Sequence, residues 1–252
     1  MELFIESLIR DRVSRAETAT RYRAPLVGFA DAEDPRFAQL RAIAEPRHSL
    51  PRDLLPGARS VVSFFLPFAP EVVRANRHHP RYVAPEWAVA YLETNELIDR
   101  IGRDLVAALE ERGVRAATEA ATHSYDPDLL TTGWSHKSAA VIAGLGSFGL
   151  HHMVITDAGC AGRFGSLVVD AELKPTSGPA APHRERCLYF HDRSCTVCVE
   201  RCPVGALTEQ GLDKHRCHER LLLNAAYHFR DLGLADVCGK CAMGPCALES
   251  AV

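Results

Sequence analysis

Eight of the nine cysteines in this 252-residue chain fall between residues 187 and 246. They are Cys187, Cys195, Cys198, Cys202, Cys217, Cys238, Cys241 and Cys246. Two runs are tight: Cys195-x2-Cys198-x3-Cys202-Pro203 and Cys238-x2-Cys241-x4-Cys246. Thiolates at such spacings suit iron–sulfur clusters, and in bacterial ferredoxins the cysteine ahead of a proline serves the other of two clusters. Eight thiolates are the number that two 4Fe–4S clusters need. Zinc is the rival, because Cys238-x2-Cys241 alone would suit a four-cysteine zinc site. Cys202 with the following Pro203-Val204-Gly205-Ala206-Leu207 favours a ferredoxin turn, which keeps water from the sulfurs and aims backbone N–H groups at them. Cys160 stands apart between Gly159 and Ala161 and reads as a small packing residue.

A second set of candidates lies upstream. Gly144-Leu145-Gly146-Ser147-Phe148-Gly149 matches the dinucleotide pattern, with Asp170 at a suitable distance. That pattern must follow a strand and open a helix, whereas here a predicted helix, Ser135 to Ala143, precedes it and strands follow. The glycines are instead expected to end the helix and bring backbone close to a flat cofactor. His151 and His152 come next, and on a strand they would face opposite ways. Either could ligate a metal or donate a proton, or simply be hydrogen-bonded. Asp126 and Asp128 could supply a general acid or merely form a turn. Ser135, His136 and Lys137 at a helix start could hold an anion, with Ser135 as a plain N-cap the equal alternative.

These residues need a frame. Apolar residues make up 47% of the chain, enough for a core, and the net charge of −3 gives no basic field for nucleic acid. The longest mostly apolar stretch, Val61 to Ala69, is far short of the ~18 residues of a membrane helix. No signal peptide is visible, so a reducing cytoplasm is expected, and clustered cysteines there point to metal rather than disulfides. Predicted elements are a helix over 2–16, a short strand over 25–30, a strand from Ser60 to Leu66, a polar loop over 70–85 and a long helix from Glu86 to Arg112 with Gly113 as its cap. Strands follow over Val114–Thr122, Met153–Thr156 and Gly165–Val169, and a helix over Glu219–Phe229. The order is mixed α/β (α+β). Pro-rich residues 173–184 suggest a boundary, giving an α/β cofactor or substrate domain over 1–178 and a cysteine-rich ferredoxin-like domain over 179–252.

The chain resembles the epoxyqueuosine reductase family, which has distant relatives in reductive dehalogenases. The resemblance rests on residues 53–62, Leu66-Pro67, the long helix containing Tyr91, Ala139 to Gly146 with Gly149, and the cysteine region. It implies a nitroreductase-like cobalamin-binding domain followed by a two-cluster ferredoxin module. Electrons from an external ferredoxin or flavodoxin would pass through the clusters to a corrinoid near Gly144 to His152. Cys202, Cys217, Cys238 and Cys241 would hold one cluster; Cys195, Cys198, Cys246 and one more would hold the other. The family's first cysteine position is Asp192 here, and Cys187 is the natural replacement. Asp126 and Asp128 lie near the family's acidic proton donor without aligning cleanly with it. The chain stops before the helical-repeat domain that helps epoxyqueuosine reductases hold tRNA, so a small or protein-borne substrate is expected. Alternatives are an electron-transfer activator of a separate corrinoid protein, and a flavin in place of the corrinoid.

Overall fold

The computed structural model of the chain describes residues 1–79, 81–120, 125–126, 128–176 and 186–252. Helix α1 (Glu2–Ser14) buries Ile5, Ile9 and Val13 on one stripe. Strand β1 (Leu26–Asp31) leads into α2 (Pro35–Ile43) and α3 (Pro51–Leu54). Both helices open on a proline, whose fixed φ and missing N–H suit a first turn. Strand β2 (Ser60–Pro67) is buried at every position. The polar loop expected over 70–85 is in large part a helix, α4 (Pro70–His78): Pro70 starts it, and Val72, Val73 and Asn76 turn inward at helical spacing. Helix α5 (Pro85–Glu110) follows, and Gly113 takes a left-handed φ of 76° beyond its end.

Strand β3 (Ala116–Thr118) occupies part of the expected 114–122 strand, whose last residues fall outside the described ones. A small pair, β4 (Tyr125–Asp126) and β5 (Thr131–Thr132), precedes α6 (His136–Ile142). Then come β6 (Gly146–Phe148), β7 (Val154–Thr156) and β8 (Gly162–Val169). The main sheet is antiparallel in the order β1-β2-β8-β3, with Val62 opposite both Phe29 and Leu167. Side chains alternate across β2. Val62, Phe64 and Leu66 pack under α1 and α5 with Ile9, Ile101 and Leu105. On the other face Val61 meets Phe37 of α2 and Ala139 and Ile142 of α6. The result is a helix–sheet–helix sandwich, and no helix among the described residues is long and apolar enough to cross a membrane.

The cysteine-rich segment is built from α7 (Leu188–Asp192), α8 (Val197–Glu200), the hairpin β9 (Leu207–Thr208) and β10 (Gly211–Leu212), and α9 (Lys214–Leu232). Helix α9 begins earlier than the predicted Glu219, so Cys217 sits in its first turns. Two 3-10 turns, Lys240–Met243 and Pro245–Ala247, close the segment. The boundary expected at 178/179 lies outside the described residues. The two parts share a core: Ala235, Ala242, Met243 and Ala247 pack with Phe68, Val73, Trp87 and Ile155. Polar ties cross the same seam. Asn76 Nδ2 donates to the Cys238 carbonyl at 2.9 Å, and buried Lys240 donates from Nζ to the Asn76 and His79 carbonyls at 2.6 and 2.8 Å.

Gly239 shows how tight this seam is. Its φ is 67°, and a Cβ there would stand 2.4 Å from the Trp87 ring. Gly113, with φ 76°, has nothing within 4 Å of the same position. Gly113→Ala is therefore expected to cost about 1–2 kcal/mol, the backbone term alone. Gly239→Ala is expected to lower the Tm further than Gly113→Ala does. Equal losses in thermal unfolding would contradict the packing described.

Candidate metal centre

Helices α7 and α8 and the final 3-10 turn bring four thiols to one cleft. Cys187, Cys195, Cys198 and Cys246 line a small cleft, with His151 and Ile155 on its wall. Cys187 is the N-cap residue of α7, and its carbonyl accepts from the Phe190 and His191 N–H groups at 2.9 and 2.8 Å. Asp192, which stands where the family has a cysteine, accepts from the Ser194 N–H at 2.9 Å in a local turn and does not line the cleft. Burial pushes the Cys198 thiol up to about 12, helped by the charges of Cys246, Cys187 and Cys195.

The other four thiols act on one another electrostatically, and Cys241 also feels Cys198 of the first four. Burial raises Cys217, and Cys238 and Cys202 add to the effect; burial likewise raises Cys241, followed by Cys238 and Cys217. Cys202 sits in the expected turn, where its sulfur accepts the Ala206 N–H at 3.2 Å. Cations surround this group. Arg220 and Lys240 oppose the effect of burial on Cys238. Lys137 acts on Cys217, and burial pulls Lys137 down while the Cys241 charge pulls it back up.

The upstream candidates separate into three kinds. Ser135 is an N-cap, accepting the Ser138 N–H at 3.1 Å. His136 is turned into the core. Trp134 Nε1 donates to Ser166 Oγ at 2.9 Å, Ser166 Oγ lies 2.8 Å from His136 Nδ1, and His136 Nε2 lies 3.2 Å from the Ala120 carbonyl. Gly144 (φ 77°) ends α6, while Gly146 and Gly149 have their close approaches to Ile155 and His151. Strand β6 rather than a helix follows the glycines, and Asp170 is engaged by Arg115 at 2.7 Å, so the dinucleotide pattern is not used as one. Asp126 accepts the Asp128 and Leu129 N–H groups at 2.9 Å and pairs with Arg47 at 2.7 Å. The Arg47 guanidinium holds the Asp126 carboxyl below the usual range, which suits a turn former better than an acid near neutral pH. Asp128 is exposed in that turn.

Lys137, His151 and His152 are the candidates nearest the thiols. The histidines are not on a strand, as the sequence suggested. They sit in the turn between β6 and β7, where His152 takes φ 58° and its carbonyl accepts from Lys137 Nζ at 3.1 Å. His151 is buried, and its Nε2 lies 3.3 Å from Cys246 Sγ. Two contacts escaped the sequence reading, although Cys160 is fully buried as a packing residue should be. Cys160 carries its Sγ to 3.9 Å from Cys246 Sγ, across 86 positions of sequence with no motif to signal it. Arg163 lies over the Tyr91 ring at 4.5 Å, and its buried Nε has no hydrogen-bond partner among the described residues.

No protein-family model and no curated protein matches the chain. Solved structures do. An epoxyqueuosine reductase from Streptococcus thermophilus aligns with TM-score 0.58 and 14% identity, over 100% of this chain and 68% of that one. An epoxyqueuosine reductase with a tRNA-Tyr epoxyqueuosine-modified stem loop aligns at TM-score 0.56 and 20% identity, over 98% of this chain and 66% of that one. A reductive dehalogenase whose structure suggests a mechanism for B12-dependent dehalogenation aligns at TM-score 0.54 and 16% identity, over 87% of this chain and 29% of that one. The chain therefore has an epoxyqueuosine reductase-like α/β fold and spans 66–68% of the length of those reductases.

Two separate thiol groups make a simple expectation. The iron expected from the cysteine spacing should fall by about half in Cys195→Ala and in Cys217→Ala, and should be absent from the double variant. Complete loss from either single variant would show that the groups load as one unit.

Proposed function

We propose that the chain is a corrinoid-linked iron–sulfur reductase. Electrons from an external ferredoxin or flavodoxin enter at two 4Fe–4S clusters, reach a corrinoid held against the α/β part, and reduce a small or protein-borne substrate. One observation supports this reading: four thiols line one cleft, and the other four act on one another electrostatically, on a fold that matches epoxyqueuosine reductases over 98–100% of the chain and a reductive dehalogenase over 87%. Cys187, Cys195, Cys198 and Cys246 would hold one cluster, and Cys202, Cys217, Cys238 and Cys241 the other. We place the functional division near residues 178 and 179, with the cofactor part ahead of it.

The donor chemistry fits. Each set offers four thiols, and among the described residues no carboxylate lines the cleft. A cluster held by four thiolates carries net negative charge, and Lys137, Arg220 and Lys240 stand ready to offset it around the second set. Toward the α/β part, the unpartnered Arg163 Nε is the kind of buried donor that a ligand oxygen would satisfy. Arg163 is held in place by the Tyr91 ring, and the Tyr91 hydroxyl donates to Asp236 at 2.7 Å. Lys137 and Arg163 would hold the amide and phosphate oxygens of a corrinoid. When bound, a corrinoid supplies a cobalt centre suited to passing electrons to an organic substrate. The net charge of −3 favours a small or protein-borne substrate over nucleic acid.

Anaerobically purified protein mixed with cob(II)alamin and passed through gel filtration tests this reading. Cobalt is expected to co-elute equimolar with the chain, and Lys137→Glu together with Arg163→Gln to release it. Cobalt eluting free while added flavin is retained would reject the corrinoid.

A further inference from the structure

Behind the four-thiol cleft, Cys246 meets two side chains that are not among the eight clustered cysteines. His151 Nε2 lies 3.3 Å from its sulfur and Cys160 Sγ lies 3.9 Å away. The direction of the first bond follows from the other ring nitrogen. His151 Nδ1 accepts the Met153 N–H at 3.1 Å, so the ring proton sits on Nε2 and points at Cys246. Cys160 has an exposure of 0% and is absent from the cleft lining, whereas His151 and the four thiols line it. Among the described residues its S–H has two acceptors in range, Cys246 Sγ and the Ala242 carbonyl, each at 3.9 Å.

Backbone pairing builds this arrangement. The Cys160 N–H donates to the Cys246 carbonyl at 2.9 Å and the Ala161 N–H to the Ala247 carbonyl at 3.0 Å. Gly159 permits the approach, because a Cβ there would stand 2.4 Å from the Ala247 carbonyl oxygen. Arg23 clamps the pair from outside, donating to the Leu248 and Ala158 carbonyls at 2.7 and 2.6 Å. The donor atoms of His151, Cys160 and Cys246 all lie within 4.8 Å of one another, close enough to suggest a small metal site. With Cys246 committed to the cleft, the other two are left as donors to it.

We propose that His151 and Cys160 are positioning residues for the cluster held by Cys187, Cys195, Cys198 and Cys246: both donate hydrogen bonds to the Cys246 sulfur and raise that cluster's reduction potential. The inference rests on the iron reading above and not on the corrinoid. Hydrogen bonds to a ligating sulfur draw electron density from it, so they favour the reduced, more negative cluster. The second set has a donor of its own, the Ala206 N–H on the Cys202 sulfur at 3.2 Å, and its own cations, so removing His151 or Cys160 is expected to act on the first cluster alone.

The test is an anaerobic titration with dithionite, in which each cluster accepts a single electron from the reductant and no bond or proton is transferred. Electron paramagnetic resonance follows the two clusters in the wild type, Cys160→Ala, Cys160→Ser and His151→Phe. Cys160→Ala and His151→Phe are expected to keep full iron and to move one midpoint negative while leaving the other in place. Cys160→Ser, which keeps a donor, should recover most of the shift. Full iron with both midpoints unmoved in Cys160→Ala and His151→Phe would overturn the proposal. Loss of about half the iron from Cys160→Ala would also overturn it, since Cys160 would then be a ligand. If the wild type holds no iron, the reading under Proposed function fails, and this inference fails with it.

Discussion

Buried thiols resist ionisation, and they resist it more when packed together. That constraint governs the last third of this chain. Burial raises Cys198, Cys217, Cys238 and Cys241, and neighbouring cysteines reinforce the shift at Cys198, Cys217 and Cys241. A bound metal would relieve this cost by taking the thiols as thiolates. Any metal held here would be coupled to folding, because its ligands would come from separate elements that only the fold brings together. The surrounding structure is arranged accordingly. Lys240 is buried among carbonyls of α4, and burial brings it down to about 8 against the pull of the Cys238 charge. Gly239 leaves room for Trp87, and Arg23 clamps the far end of the segment.

The α/β part meets both thiol groups through one short stretch. Lys137 at the start of α6 acts electrostatically on Cys217 and Cys241, and His151 in the β6–β7 turn reaches Cys246. Lys137 and His152 are themselves joined by a hydrogen bond at 3.1 Å. The residues between them are held by the sheet, with Ala139 and Ile142 packed on Val61 and with Gly146 against Ile155. A small shift of α6 would therefore disturb both groups together. This coupling gives the fold a reason to place its glycines here, since side chains at Gly146 or Gly149 would push the turn away from the cleft.

Much of this was readable from the chain, and the misses have physical causes. The strand at Ser60–Pro67 and the long helix at Pro85–Glu110 announced themselves through β-branched runs and helical spacing, because burial there follows a simple period. The helix at Pro70–His78 was hidden by its polar residues and its proline, although Pro70 at the first turn favours a helix. The gap at Asp192 pointed to Cys187, and the structure puts Cys187 on the wall of the cleft. The neighbours of Cys160 and Arg163 could not be foreseen, since Cys246 and Tyr91 lie far away in sequence. His136 looked like an anion ligand at a helix start, but its ring is drawn inward by Ser166, a partner that only the sheet supplies.

The gathering of eight thiols into two metal-holding groups is the claim on which the rest stands. Iron, sulfide and zinc analysis of the anaerobically purified wild-type chain addresses it directly. We expect about eight irons with matching sulfide per chain and no stoichiometric zinc. Zinc in place of iron, or iron for a single cluster only, would contradict it.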